Sequence, residues 1–186
     1  EYRVYGVKWP SVTGFLADFY DGPPDSDAAE WGKSAHVHAF HFVRGSLDFD
    51  RVEEQMKPTL IGIKEGLKEL GVDVYENECL AEQVVLSRKF HFIGRLDFLF
   101  AIKLNDLLVD FKTGTPSDKA TRRTGLQVGG YAIAAIEQGL TTSSKLRVAE
   151  LNVQPDGKAK VREFRVREVM QTFLAQVTVK NYFSKI

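Results

Sequence analysis

Asp97, Asp110 and Lys112 are the residues of this chain whose types and spacing are best suited to chemistry. The run LLVDFK, residues 107–112, reads as a strand because branched and aromatic side chains dominate it, so Asp110 and Lys112 share one face. RLDFLFAIK, residues 95–103, reads as a second strand, and the LND segment between them carries the polar turn residues of a hairpin. Register decides whether Asp97 joins the pair, since a slip of one residue turns every side chain to the other face. A loop with an even number of residues sets Leu96, Phe98, Phe100 and Ile102 beside Leu107, Val109 and Phe111. Asp97, Asp110 and Lys112 then gather on the opposite face. An odd loop would bury unpaired carboxylates among aromatic rings, which is costly, so the even register is expected. Crowded carboxylates call for a divalent cation or a basic group, and their hard oxygens favour Mg²⁺ or Mn²⁺. A cation so held polarises a phosphoryl oxygen and lowers the pKa of an attacking water. Lys112 would position or deprotonate that water, or stabilise charge on phosphorus. Taken alone, the D-x-K triplet is far more often an ordinary Asp–Lys pair on an exposed sheet.

The remaining sequence shifts that balance. TPSDKATRRTGLQVGGYAIAAIEQG, residues 115–139, has helical spacing in its latter half, where Gln127 and Tyr131 at i and i+4 project from one face. GRLD at 94–97, VDFKTG at 109–114 and Q-x-x-x-Y at 127–131 together resemble the RecB-type exonuclease branch of the PD-(D/E)XK nuclease superfamily. The order in that family is a helical His, a GxxD acid, a D/E-x-K strand and a QxxxY helix. Gly32-Lys33-Ser34-Ala35-His36 fits the first of these. The resemblance implies that His36, Asp97 and Asp110 bind the metal with the backbone carbonyl of Phe111, and that Lys112 is the catalytic lysine. It implies that Gln127 and Tyr131 hold the scissile phosphate or the adjacent strand. Arg122 and Arg123 would contact phosphates from a mobile approach to the helix. Gly114, directly after the catalytic strand, allows the close turn that leaving the sheet requires.

Other candidates are weaker. His38 and His41 lie about 200° and 140° around a helix from His36 and cannot readily share its ion. His91, in a predicted strand KFHFIGRLD, falls on the Asp97 face by parity. Pro10-Ser11-Val12-Thr13 resembles an opening motif of the same branch and also reads as a helix stop and cap. Glu82 in LAEQVVL matches a glutamate that precedes the GxxD strand in relatives, with an indirect role favoured over direct ligation. Some relatives hold an iron–sulfur cluster on four cysteines. This chain has one, Cys79, so no such cluster is expected.

Positioning these residues requires a sheet with helices packed on it. The spacing predicts an opening strand YRVYGVKW, a helix from Ser11, a loop DGPPDSD, a helix carrying His36, and a helical region from about 49 to 70, with Pro58 as a break or a fresh first turn and Gly71 as its end. Strands follow at 72–86, 90–103 and 107–112, then the QxxxY helix. A hairpin around Pro155-Asp156-Gly157 and a closing helix over 166–183 complete the chain. The expected class is α/β, a restriction-endonuclease-like mixed central sheet flanked by helices.

At 186 residues and 44% hydrophobic content the chain suits a single domain over 1–186, with no room for a helicase motor. No apolar run approaches the roughly 20 residues that span a bilayer, no signal-peptide pattern opens the chain, and cysteine usage fits a reducing compartment. A cytoplasmic protein without membrane contact is expected, and a phage-encoded one acting in a bacterial host is compatible. The chain opens on Glu1 and not on Met, so sequence beyond either end stays open. Net charge is zero, which argues against a broad basic coat but not against a focused basic cleft. DKATRR and KAKVREFRVR are locally basic, while DGPPDSDAAE should face away from substrate. The leading expectation is a metal-dependent exodeoxyribonuclease acting on DNA ends or single strands, in repair or recombination. A non-catalytic nucleic-acid-binding subunit and a structure-specific endonuclease remain the alternatives, and a homo-oligomer or a recombination partner protein is left open.

Overall fold

The computed structural model describes residues 2–19 and 26–183. Residues 21–25 of the anticipated DGPPDSD loop lie outside them. Seven strands and five α-helices follow in chain order among the described residues: β1 Tyr2–Val4, β2 Val7–Trp9, α1 Val12–Phe15, α2 Ser26–Val43, α3 Lys57–Glu69, β3 Cys79–Ser87, β4 Phe92–Phe100, β5 Asp106–Thr113, α4 Asp118–Glu137, β6 Leu146–Val153, β7 Ala159–Phe164 and α5 Val166–Phe183. Strands β3 to β7 form one sheet in sequence order, antiparallel except for the parallel pair β5–β6, which α4 connects. A parallel pair needs such a crossover, and the crossover lays α4 across the sheet.

Each face of this sheet is covered by helices, the flanked mixed sheet that the pattern leads one to expect. Phe98, Phe100, Leu107, Val109, Phe111, Ala149, Leu151 and Val153 pack with Ala35 and Ala39 of α2 and Leu60, Ile63 and Leu67 of α3. Val85, Leu99, Leu108 and Val148 pack on the other side with Val12 and Phe15 of α1, Val128, Tyr131 and Ala132 of α4, and Phe173 of α5. Alternation along β5 and β6 thus buries both strand faces, as is usual where parallel strands occur.

The β4–β5 hairpin takes the even register. Residues 101–106 separate the last pair, Phe100 with Leu107, and the pairing continues through Leu99 with Leu108 and Phe98 with Val109. Leu96 departs from the expected apolar row: it packs on the α4–α5 side while Phe98 and Phe100 pack on the α2–α3 side. Alternation breaks at Asp97, where Glu82 on β3 adopts φ 53 and the Glu82–Asp97 pair drops out of the ladder.

Three boundaries also differ from the sequence reading. YRVYGVKW is a hairpin and not one strand, because Tyr5 and Gly6 turn it with φ 50 and 81. Residues 72–78 are irregular, tied by Asp73 and Asn77, whose side chain accepts from the Asp73 N–H at 2.9 Å. His91 lies in the β3–β4 turn at φ 56, stacked on Trp9, so strand parity does not carry it to the Asp97 face. Pro58 sits in the first turn of α3, and Pro155-Asp156-Gly157 turns β6 into β7, both as expected.

Candidate active site

Pairing of β4 with β5 stops one residue short of Asp97 and Asp110. In its place the Asp97 Oδ2 accepts a hydrogen bond from the Phe111 N–H at 2.8 Å. The carboxylate thereby fills a gap in the ladder and fixes its own position with a backbone donor. Asp110 is fully buried, and Lys112, two residues along the same strand face, forms an ion pair with it while remaining partly open to solvent. Burial raises both acids to a pKa of about 6, opposed in each case mainly by the Lys112 ammonium. Two desolvated carboxylates next to each other favour their neutral forms unless positive charge is supplied.

His36 reaches this point from α2. Its Nδ1 is 3.9 Å from Asp97 Oδ1, and its ring packs edge-on against Phe111 at 4.9 Å between centroids. Burial, helped by the Lys112 charge, lowers the His36 pKa and favours the neutral imidazole, the form that coordinates metals. The side chain of Glu82, freed by its unusual backbone, turns in beside them and pairs with Arg95 Nε at 2.7 Å. One donor atom from each of His36, Glu82 and Asp97 lies within 4.8 Å of the others.

On the far wall, Gln127 Nε2 donates to Tyr131 Oη at 2.9 Å across one turn of α4. Gly94, the first residue of GRLD, makes this wall possible. A Cβ there would lie 2.5 Å from Tyr131 Cε1, so only glycine lets the ring settle against β4. The Tyr131 pKa is raised by burial and then by the Asp110 charge, which keeps the phenol a hydrogen-bonding neutral group. Ser11 caps α1 by accepting from the Gly14 N–H at 2.9 Å and, with Thr13, lines the same cleft. The cleft measures about 980 Å³ and is also lined by His36, Glu82, Arg95, Asp97, Lys112, Gln127 and Tyr131. Asp110 lies buried behind this lining, paired with Lys112.

Asp97, Asp110, Lys112, His36, Gln127 and Tyr131 therefore converge. Phe111 contributes its N–H to Asp97 and its ring to the α2–α3 core. Glu82, expected to act indirectly, sits within the donor group. Arg122 and Arg123 do not join it: they lie inside α4, which starts at Asp118 with Ser117 as its cap, and line a separate groove. His38 Nδ1 lies 2.8 Å from the Ser34 carbonyl on its own helix, and His41 Nδ1 is 3.0 Å from Ser46 Oγ.

Glu150 was not anticipated. It sits on β6 directly beside Asp110, 4% exposed, with Oε1 accepting from Thr121 at 3.3 Å and Oε2 buried without a partner among the described residues. Burial raises its pKa, and the Asp110 charge adds to the effect. In the sequence Val148, Glu150 and Asn152 resemble the solvent face of an alternating strand. The signal available was the parallel crossover, which forces α4 over that face.

Oxygen and imidazole donors in this proportion suit a hard divalent cation, and the buried Asp110 Oδ1, which has no hydrogen-bond partner among the described residues, points the same way. The residues present fit such an ion, with His36, Glu82, Asp97 and Asp110 as the groups that would hold it.

The family model described as "PD-(D/E)XK nuclease superfamily" matches residues 16–182. Among solved structures, a crystal structure from Eubacterium rectale called a "Putative exonuclease" superposes with a TM-score of 0.53 at 14% identity, covering 91% of this chain and 77% of that one. A crystal structure of SSO0001 gives a TM-score of 0.36 at 14% identity, over 91% and 83% of the two chains. No curated protein matches the chain. No described helix is long and apolar enough to cross a membrane.

Proposed function

The chain belongs to the PD-(D/E)XK nuclease superfamily, and on that premise we propose that the cleft between α2 and α4 hydrolyses phosphodiester bonds of DNA as a metal-dependent exonuclease of the RecB type. The observation that carries this reading is the meeting of His36, Glu82 and Asp97 within 4.8 Å, with the Asp110–Lys112 pair beside them, at the base of an open cleft. Mg²⁺ or Mn²⁺ held there would supply Lewis-acid polarisation of the phosphoryl oxygen and acidify the attacking water.

The protein's own groups divide the remaining work. Lys112 lines the cleft and is anchored to the buried Asp110, so its ammonium is placed to orient the nucleophile or to stabilise charge as it builds on phosphorus. Neutral His36 offers a lone pair, held in orientation by the Phe111 ring. Arg95, steadied by Glu82, adds positive charge to the wall along which a phosphate backbone would enter. Gln127 and Tyr131, locked to each other, present a rigid polar wall for the scissile phosphate or its neighbour.

The test is cleavage of end-labelled linear single- and double-stranded DNA beside a closed circle, in Mg²⁺, Mn²⁺ or EDTA, with Lys112→Ala as control. Loss of linear DNA with metal, absent in the variant, is expected. Nicking of the circle would convert the reading to an endonuclease, and cleavage that survives EDTA or Lys112→Ala would overturn it.

A further inference from the structure

Arg162, from the second locally basic stretch of the sequence, joins the cations of the first in a groove separate from the cleft. Lys119, Arg122 and Arg123 of α4 and Arg162 of the edge strand β7 line a groove of about 840 Å³ whose acidic members are Asp118 and Glu168. Four cations thus face two anions in a chain whose total charge is zero. Phe164 and Leu126 give the groove an apolar floor. This pairing of guanidinium groups with an aromatic surface suits a strand that offers phosphates and bases together.

Strand register fixes how far the groove lies from the cleft. Asp110 pairs with Glu150, and Glu150 with Arg162, so an acid, a buried acid and an exposed cation stand in one row across β5, β6 and β7. Two strand spacings separate the ends of that row, about 10 Å. At about 3.4 Å of rise per nucleotide in a stacked strand, this is at most about three nucleotides. Thr121 lines the groove and donates to Glu150, so the wall between the two sites is one turn of α4.

We propose that this groove binds the sugar–phosphate backbone of a nucleic-acid segment a few nucleotides from the scissile position. The inference rests on the nuclease reading for its substrate and adds a second contact surface to it. Arg122 and Arg123 act here and not at the acids.

The test is fluorescence anisotropy of a labelled 20-nucleotide single strand in EDTA over a range of salt, comparing wild type with Arg122→Ala/Arg162→Ala and with Lys64→Ala/Lys145→Ala, a distant pair of equal charge. The groove variant should bind about tenfold more weakly. Its salt slope should shrink by about 1.4, at roughly 0.7 per lost phosphate contact on a single strand. The distant pair should change affinity less than twofold. Equal losses in both variants, or none in either, would overturn the groove. Should the groove variant fold poorly, hydrogen exchange of wild type decides: protection of residues 118–126 and 159–164 by the 20-mer is expected, and unchanged exchange there refutes it. The two readings fail separately. A wild type that binds through the groove but cuts nothing sinks the nuclease reading alone, whereas metal-dependent cutting with unaltered groove-variant binding sinks the groove alone.

Discussion

Neighbouring residues of β5 send their side chains to opposite faces of the sheet, and the two faces follow different rules. Leu107, Val109 and Phe111 enter a cluster with Ala35, Leu60, Ile63, Phe98, Phe100 and Leu151 in which each side chain is apolar and buried. Leu108 packs on the other face in the same way, but Asp110 and Lys112 follow it, with Glu150 and Asn152 alongside on β6, and here carboxylates and an amide are buried with oxygens that find no hydrogen-bond partner among the described residues. Burial of unsatisfied polar groups opposes folding by about 1–3 kcal/mol each, while apolar burial of comparable area favours it. The α2–α3 face therefore holds the protein together, and the α4 face spends part of that stability on keeping charge out of water. Such a placement is expected where charge has work to do.

The largest effect should come from weakening the stabilising face. Phe98→Ala removes a fully buried ring that packs 6.0 Å from Phe100 and should cost about 3–5 kcal/mol, read as a lower midpoint in urea. A loss below about 1 kcal/mol would show that the two faces contribute alike.

The opposite sign is expected on the other face. Asp110→Asn keeps the shape and removes the charge. The Asp110 pKa of about 6 lies above the ordinary 3.8, so between about pH 4 and 6 the folded protein retains a proton that the unfolded chain has released. Rising pH lowers stability through that window, and the full deficit stands above pH 6. The variant should thus be more stable than wild type at pH 8, on the order of 3 kcal/mol since one pKa unit is worth about 1.4 kcal/mol, and no more stable at pH 4. Cleavage should vanish in the same variant. A stability difference that does not depend on pH would show that desolvation of Asp110 is not what distinguishes the faces.

Much of this contrast was already legible from residue types. Alternation in LLVDFK, and the cost of mixing acids with aromatics, chose the even hairpin register, and the i, i+4 spacing placed Gln127 on Tyr131. Two features were hidden for physical reasons. The break at Leu96 depends on the positive φ of Glu82, a conformation that a glutamate rarely adopts and that no periodicity announces. Glu150 stands in a strand whose pattern is that of one wet face and one dry face, and only the crossover of α4 dries the wet one. For the same reason Arg122 and Arg123 could be read as loop charges, since the start of α4 is set by the Ser117 cap, which accepts from the Ala120 N–H at 3.1 Å, and not by the apolar spacing that begins later.

The smallest effect tests where the two faces meet. His36 belongs to α2, whose Ala35 and Ala39 pack in the apolar cluster, yet its imidazole leans over Phe111 toward Asp97. If the imidazole is part of the donor group, His36→Ala should raise the metal concentration needed for half-maximal thermal stabilisation several-fold, on the order of 1 kcal/mol of binding. Because the ring is partly exposed, the stability measured in EDTA should change by no more than about that amount. The ratio of the two responses is the informative quantity. A metal midpoint that stays fixed while stability in EDTA falls would assign His36 to the packing face, as a ring that covers Phe111. A midpoint that moves while stability holds places the boundary between the faces at the Phe111 backbone, whose ring enters the core and whose N–H holds Asp97.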